Sequence, residues 1–252
     1  MKYCKILLVY ILVTITYQNL YSQSDNKSIF VIVHGTWGGG WGFKKVDSLL
    51  TVKGNIVYRP TLTGQGERVH LSSPEIGLRT HIADIVNTIL YEDLHDVILV
   101  GHSYGGMVIT GVADSIPERI KKLVYVDAAI PENGESLISI FKLKNEGQFK
   151  NVNGFLIPSW VPNEQKPPKD VPHSYKTYTD PIVLKNPLRM KIPTTFILTV
   201  DKGKEPKDDY LAPQAERAKK RGWIVLQLEA DHNPQWSAPV GLVEMLVEIV
   251  EK

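Results

Sequence analysis

Residues 97–106, Val-Ile-Leu-Val-Gly-His-Ser-Tyr-Gly-Gly, decide how this chain is read. An apolar run, Val97–Val100, passes straight into Gly101-His102-Ser103-Tyr104-Gly105. This is G-x-S-x-G, the pattern of a strand, a sharp turn bearing serine, and a helix. The turn strains the serine backbone and leaves no room for bulk two residues to either side. Gly101 and Gly105 meet that demand, and Gly106 lets the next helix pack close. Met107–Ala113 (MVITGVA) supplies the buried helix. The bland alternative is a glycine-rich turn with an exposed serine, but the strand before and the helix after favour a nucleophile.

Outward from that stretch, strand-like and helix-like segments alternate. Ser28–Val33 (SIFVIV), Ile56–Tyr58, Leu123–Val126, Thr194–Val200 and Trp223–Leu228 read as strands. Trp41–Leu50, Ile76–Leu90, Tyr210–Arg221 and Val240–Val250 read as helices, and Thr61–Glu67 as a loop. This rhythm predicts an α/β domain, a mostly parallel sheet flanked by helices, with ligands bound beyond the carboxyl ends of the strands. Residues 131–190 break it. They hold eight of the sixteen prolines, so long regular elements are not expected there. The segment is read as a cap inserted over the site. Phe141, Phe149, Phe155 and Trp160 either line an apolar pocket or form the cap's own small core.

With 252 residues, 43% of them hydrophobic, the chain can bury one full core. Lys2 and Lys5 precede the apolar run Ile6–Ile15, and polar residues follow to Gln23. That layout predicts a signal peptide over residues 1–23, a mature domain over 24–252, and export. The run is too short for a membrane anchor. Cutting there removes Cys4, the one cysteine, and takes the formal charge from +2 to near neutral. No basic run interleaved with aromatics suggests nucleic acid. No metal or organic cofactor is called for.

Four chemically useful groups sit at strand ends: His34-Gly35, Ser103, Asp201 and His232. A serine hydroxyl becomes a nucleophile when an imidazole takes its proton, and a carboxylate must hold that imidazole. His232 alone among the seven histidines follows a late strand. His81 and His95 flank or lie on a helix with no route to the turn, and His70 and His173 fall in loops. The His102 side chain is expected to point away from that of Ser103. Asp201 is favoured as the acid over Asp127, which ends the strand after the nucleophile. The His34-Gly35-Thr36 turn would present a backbone N–H, from Thr36 or Trp37, to a ligand oxygen.

HGTWGGGW, TLTGQGER, YEDLHDVILVGHSYGGMVITGVAD, RIKKLVYVDAAIPENGES and ADH together resemble the α/β-hydrolase superfamily. More narrowly, they resemble its plant methylesterase and hydroxynitrile lyase relatives, including bacterial salicylate-ester and pyrethroid hydrolases. The resemblance implies Ser103 as nucleophile, His232 as base and Asp201 as acid. It places an oxyanion hole at the N–H groups of Thr36 and Tyr104, and implies a small ester as substrate. Lyase members carry threonine and lysine where this chain has Gly35 and Asn233, which favours the esterase arm. A C–C lyase and a catalytically silent small-molecule-binding protein are the alternatives.

Overall fold

A computed structural model describes residues 27–143 and 150–251. The expected signal peptide, Cys4 and Phe149 lie outside them. Six strands form one sheet, all neighbours parallel: β1 (Ile29–Val33), β2 (Ile56–Tyr58), β3 (Val97–His102), β4 (Ile120–Val126), β8 (Thr194–Val200) and β9 (Ile224–Glu229), in the order β2-β1-β3-β4-β8-β9. Parallel sheets are covered on both faces, so their strands are apolar at almost every position. Successive side chains alternate between faces. Val31, Val33, Leu99, Tyr125 and Phe196 enter one core, and Phe30, Ile32, Ile98, Val124 and Ile197 enter the other. Each such buried side chain stabilises the fold by about 1.5–3 kcal/mol relative to exposure.

Helices α1 (Lys44–Val52) and α8 (Pro239–Glu251) cover the second core, with Val46, Leu50, Leu242 and Leu246 buried. Helices α2 (Leu78–Tyr91) and α3 (Gly105–Ser115) cover the first. A Cβ on Gly111 would stand 2.2 Å from Ile82 Cδ1, so α2 packs its Ile82 side chain directly against the glycine of α3. A 3-10 turn, Gly40–Phe43, precedes α1, which therefore begins later than the apolar spacing predicts. Among the described residues no helix is long and apolar enough to cross a membrane.

Residues between β4 and β8 form short elements only. These are α4 (Leu137–Phe141), a small antiparallel sheet of β5 (Asn151–Val152), β6 (Phe155–Leu156) and β7 (His173–Ser174), and α5 (Lys176–Thr179). Ser136 and Ser139 cap the start of α4 reciprocally. Contacts to the main sheet's loops fasten this segment. The Trp37 indole N–H donates to the Leu156 carbonyl at 3.0 Å, and the Val171 N–H donates to the Trp37 carbonyl at 2.9 Å. Phe141 stacks on Tyr210 and packs against the first core.

The carboxyl ends of the strands meet on one edge. Val33 lies opposite Gly101, His102 opposite Val126, and Val200 opposite Glu229. α6 (Ala212–Lys220) joins β8 to β9, and the short α7 (Pro234–Ser237) follows β9.

Candidate active site

Ser103 follows the last residue of β3 with φ of 55°, the left-handed region that a non-glycine residue adopts only under constraint. Tight packing holds it there. A Cβ on Gly105 would stand 2.5 Å from the Val33 carbonyl oxygen, and one on Gly106 only 2.1 Å from that of Ala129. The Ser103 N–H donates to the Val126 carbonyl at 3.2 Å. The hydroxyl therefore stands on the sheet edge at the N-terminus of α3.

His232 lies in the loop after β9, with Nε2 3.0 Å from Ser103 Oγ. Its Nδ1 is 2.6 Å from Asp127 Oδ2, and the other oxygen, Oδ1, accepts the Thr199 N–H at 3.2 Å. Asp127 is buried, and its own N–H donates to the Ile197 carbonyl at 2.8 Å. Asp201 is not at this site. Its carboxylate is 44% exposed and pairs with Lys204. The assignment of the acid to Asp201 is thus corrected by the geometry. β4 lies beside β3 in the sheet, so the end of β4 delivers Asp127 next to the serine turn. The chain past β8 instead turns outward, with the Lys204 N–H donating to the Asp201 carbonyl.

Thr36 lines the same cleft as Ser103 and His232, and Tyr104 supplies the amide that follows Ser103. Among the described residues neither of those two N–H groups is donated to a backbone acceptor. The loop after β1 comes so close that a Cβ on Gly35 would stand 2.9 Å from Ser103 Cβ. His34 fixes this loop. Its ring bonds the Gly35 carbonyl through Nδ1–H at 2.7 Å and accepts the Leu62 N–H at Nε2 at 3.1 Å. Both nitrogens are used by a neutral ring, and burial pushes its pKa down to about 4.

Two other histidines are tied to the site by bonds that the sequence reading did not foresee. His102 is buried, donates Nε2–H to the His232 carbonyl at 2.7 Å, and places its ring 5.0 Å from that of His232. Desolvation, then the neighbouring His232, pushes its pKa down to about 3. His81, which the sequence gives no route to the turn, bonds the Tyr104 hydroxyl through Nδ1 at 3.0 Å and the Thr63 carbonyl through Nε2. Its spacing of four residues from Ile85 and eight from Ile89, both on the buried face of α2, is the signal that would have found it. Tyr178 completes this group by bonding Thr36 Oγ1 at 2.8 Å.

The cleft above Ser103 has a volume of about 470 Å³ and is walled mainly by aromatic rings. Trp160 reaches it from the segment between β4 and β8, which settles one of the open aromatic placements: Trp160 lines the cleft.

The model of the alpha/beta hydrolase family matches residues 30–245. The chain belongs to that family. Within the α/β hydrolases it is 37% identical over 242 residues to a carbendazim hydrolyzing esterase of Nocardioides, an alignment covering 87% of this chain and 98% of the relative. It is 27% identical to a putative chloroplastic methylesterase of Arabidopsis thaliana, covering 87% of this chain but 56% of that longer protein. Among solved structures, an extracellular α/β-hydrolase from a Paenibacillus species superposes with a TM-score of 0.72 at 22% identity, covering 88% and 98% of the two chains. That last likeness concerns the fold.

Proposed function

We propose that this α/β hydrolase is a serine carboxylic-ester hydrolase acting on small, moderately hydrophobic esters. The observation that carries the reading is the unbroken run of hydrogen bonds Ser103–His232–Asp127, at 3.0 and 2.6 Å. Ser103 Oγ attacks the ester carbonyl carbon as His232 Nε2 takes its proton. The oxygen that becomes negative faces the Thr36 and Tyr104 N–H groups, at the positive end of α3. Collapse expels the alkoxide, which takes the proton from His232 and leaves as the alcohol. Water, deprotonated by the same ring, then attacks the acyl-serine; Ser103 Oγ leaves with that proton returned from His232, and the acid is released. Asp127 keeps the proton on Nδ1 and steadies the imidazolium.

Relatives named as esterases support an ester substrate, and the indole walls support an aromatic one. The deciding experiment is turnover of p-nitrophenyl acetate together with labelling by a fluorophosphonate. Ser103→Ala is expected to abolish both while retaining the wild-type circular dichroism spectrum. Undiminished turnover in that variant refutes the reading.

A further inference from the structure

Four of the five tryptophans, Trp37, Trp41, Trp160 and Trp236, line the cleft over Ser103. Trp160 meets Trp37 edge-on at 4.8 Å, and Trp41 stacks on Trp236 at 5.9 Å. Indole walls favour planar aromatic guests, and their negative ring faces attract cations. Among the lining residues the one carboxylate is Asp170, which forms no ion pair among the described residues, Lys169 next to it in the chain included.

Asp170 Oδ2 accepts the Trp160 indole N–H at 2.8 Å, while Oδ1 has no hydrogen-bond partner among the described residues. Burial raises its carboxyl above the ordinary range, opposed by that indole bond and by no cation. Its place is fixed. The next residue, Val171, is bonded to the Trp37 carbonyl, and the Gln65 side-chain amide donates to the Pro172 carbonyl at 3.2 Å. Oδ1 also lies 4.0 Å from the position of a Cβ on Gly38, in the loop that flanks Ser103.

A half-buried carboxylate without a counter-charge has lost hydration that a bound cation or N–H donor restores. Resting on the hydrolase reading above, we infer that the preferred substrates are planar aromatic esters bearing a cationic or N–H group, which Asp170 Oδ1 accepts while the indoles flank the ring. The same carboxylate repels aromatic esters that carry an anion.

The test compares benzylammonium with benzoate as competitive inhibitors of p-nitrophenyl acetate turnover, near neutral pH and at low salt, where an exposed charge is least screened. Wild type is expected to bind benzylammonium at least about tenfold more tightly than benzoate. Asp170→Asn keeps the acceptor for Trp160 and should bring the two constants within about twofold of each other. Equal binding by wild type, or a preference unchanged in Asp170→Asn, overturns the inference. A tryptophan-fluorescence titration of both ligands on Ser103→Ala gives the same ratio without turnover. Failure of the hydrolase reading, seen as absent turnover and labelling, is thereby distinguished from failure of the Asp170 assignment.

Discussion

Asp127 Oδ2 lies 2.6 Å from His232 Nδ1, although 105 residues of chain separate them. The contact joins the end of a central strand to the loop after an edge strand, and Asp201 is absent from it. Asp127→Asn is therefore expected to lower kcat by about 10⁴, because the amide favours the wrong imidazole tautomer. Asp201→Asn should leave kcat/KM within about twofold, consistent with a solvated ion pair. Steady-state kinetics on the two variants decide between them, and the reverse ranking would restore Asp201.

His102 bonds the carbonyl of His232, so on the proposed mechanism it is a positioning residue. His102→Phe removes the donor and leaves that carbonyl without its partner. A fall of about 10–100-fold in kcat is expected, with KM little changed. His102→Gln, which retains an N–H donor, should recover part of the loss. Equal losses in both variants would indicate packing alone.

The closeness of the loop after β1 to the nucleophile gives a steric prediction. In Gly35→Ala the new methyl would lie 2.9 Å from Ser103 Cβ and 3.4 Å from Ser103 Oγ. The serine or the loop must shift by a few tenths of an ångström. Turnover is expected to fall about 10–100-fold while the melting temperature moves little, since displacement at a reacting centre costs rate before it costs stability. Full activity would mean that the loop yields freely.

Four buried histidines set an acid limit. Burial holds His34 and His81 at about 4 and His102 at about 3, and drives His173 well below the ordinary value of 6.5. Below about pH 6.5 the unfolded chain binds protons at these positions while the folded chain does not, so their stabilisation is complete above that pH and declines toward pH 4. Each contributes a slope of at most about 1.4 kcal/mol per pH unit, and the four act in the same direction. Urea unfolding at a series of pH values measures it. A flat profile between about pH 6 and pH 4.5 would contradict the buried, neutral state of these rings.

The sheet was legible because its strands are buried on both faces. Runs such as Phe30-Val31-Ile32-Val33 carry no competing helical period, and glycines at the serine turn mark where the backbone must bend. Sheet order was not legible. Which strand lies beside β3 depends on pairings between segments far apart in the chain, and this is why Asp201 looked better placed than Asp127. The two-residue strands β5, β6 and β7 were hidden for a related reason. They are held by long-range bonds such as Trp37 Nε1–H to the Leu156 carbonyl, which leave no local pattern. His102 reads as a neighbour of the serine, and its bond to the His232 carbonyl exists only once β9 is in place.

Because the carboxylate bonded to His232 rides on β4, the proposed mechanism asks nothing of the connection that leaves β8 at Asp201. Its first turn, closed by Asp201 and Lys204 in solvent, is open to insertion, tagging or tethering to a solid support. Attachment at the turn after β4 would instead disturb Asp127 and its bond to His232.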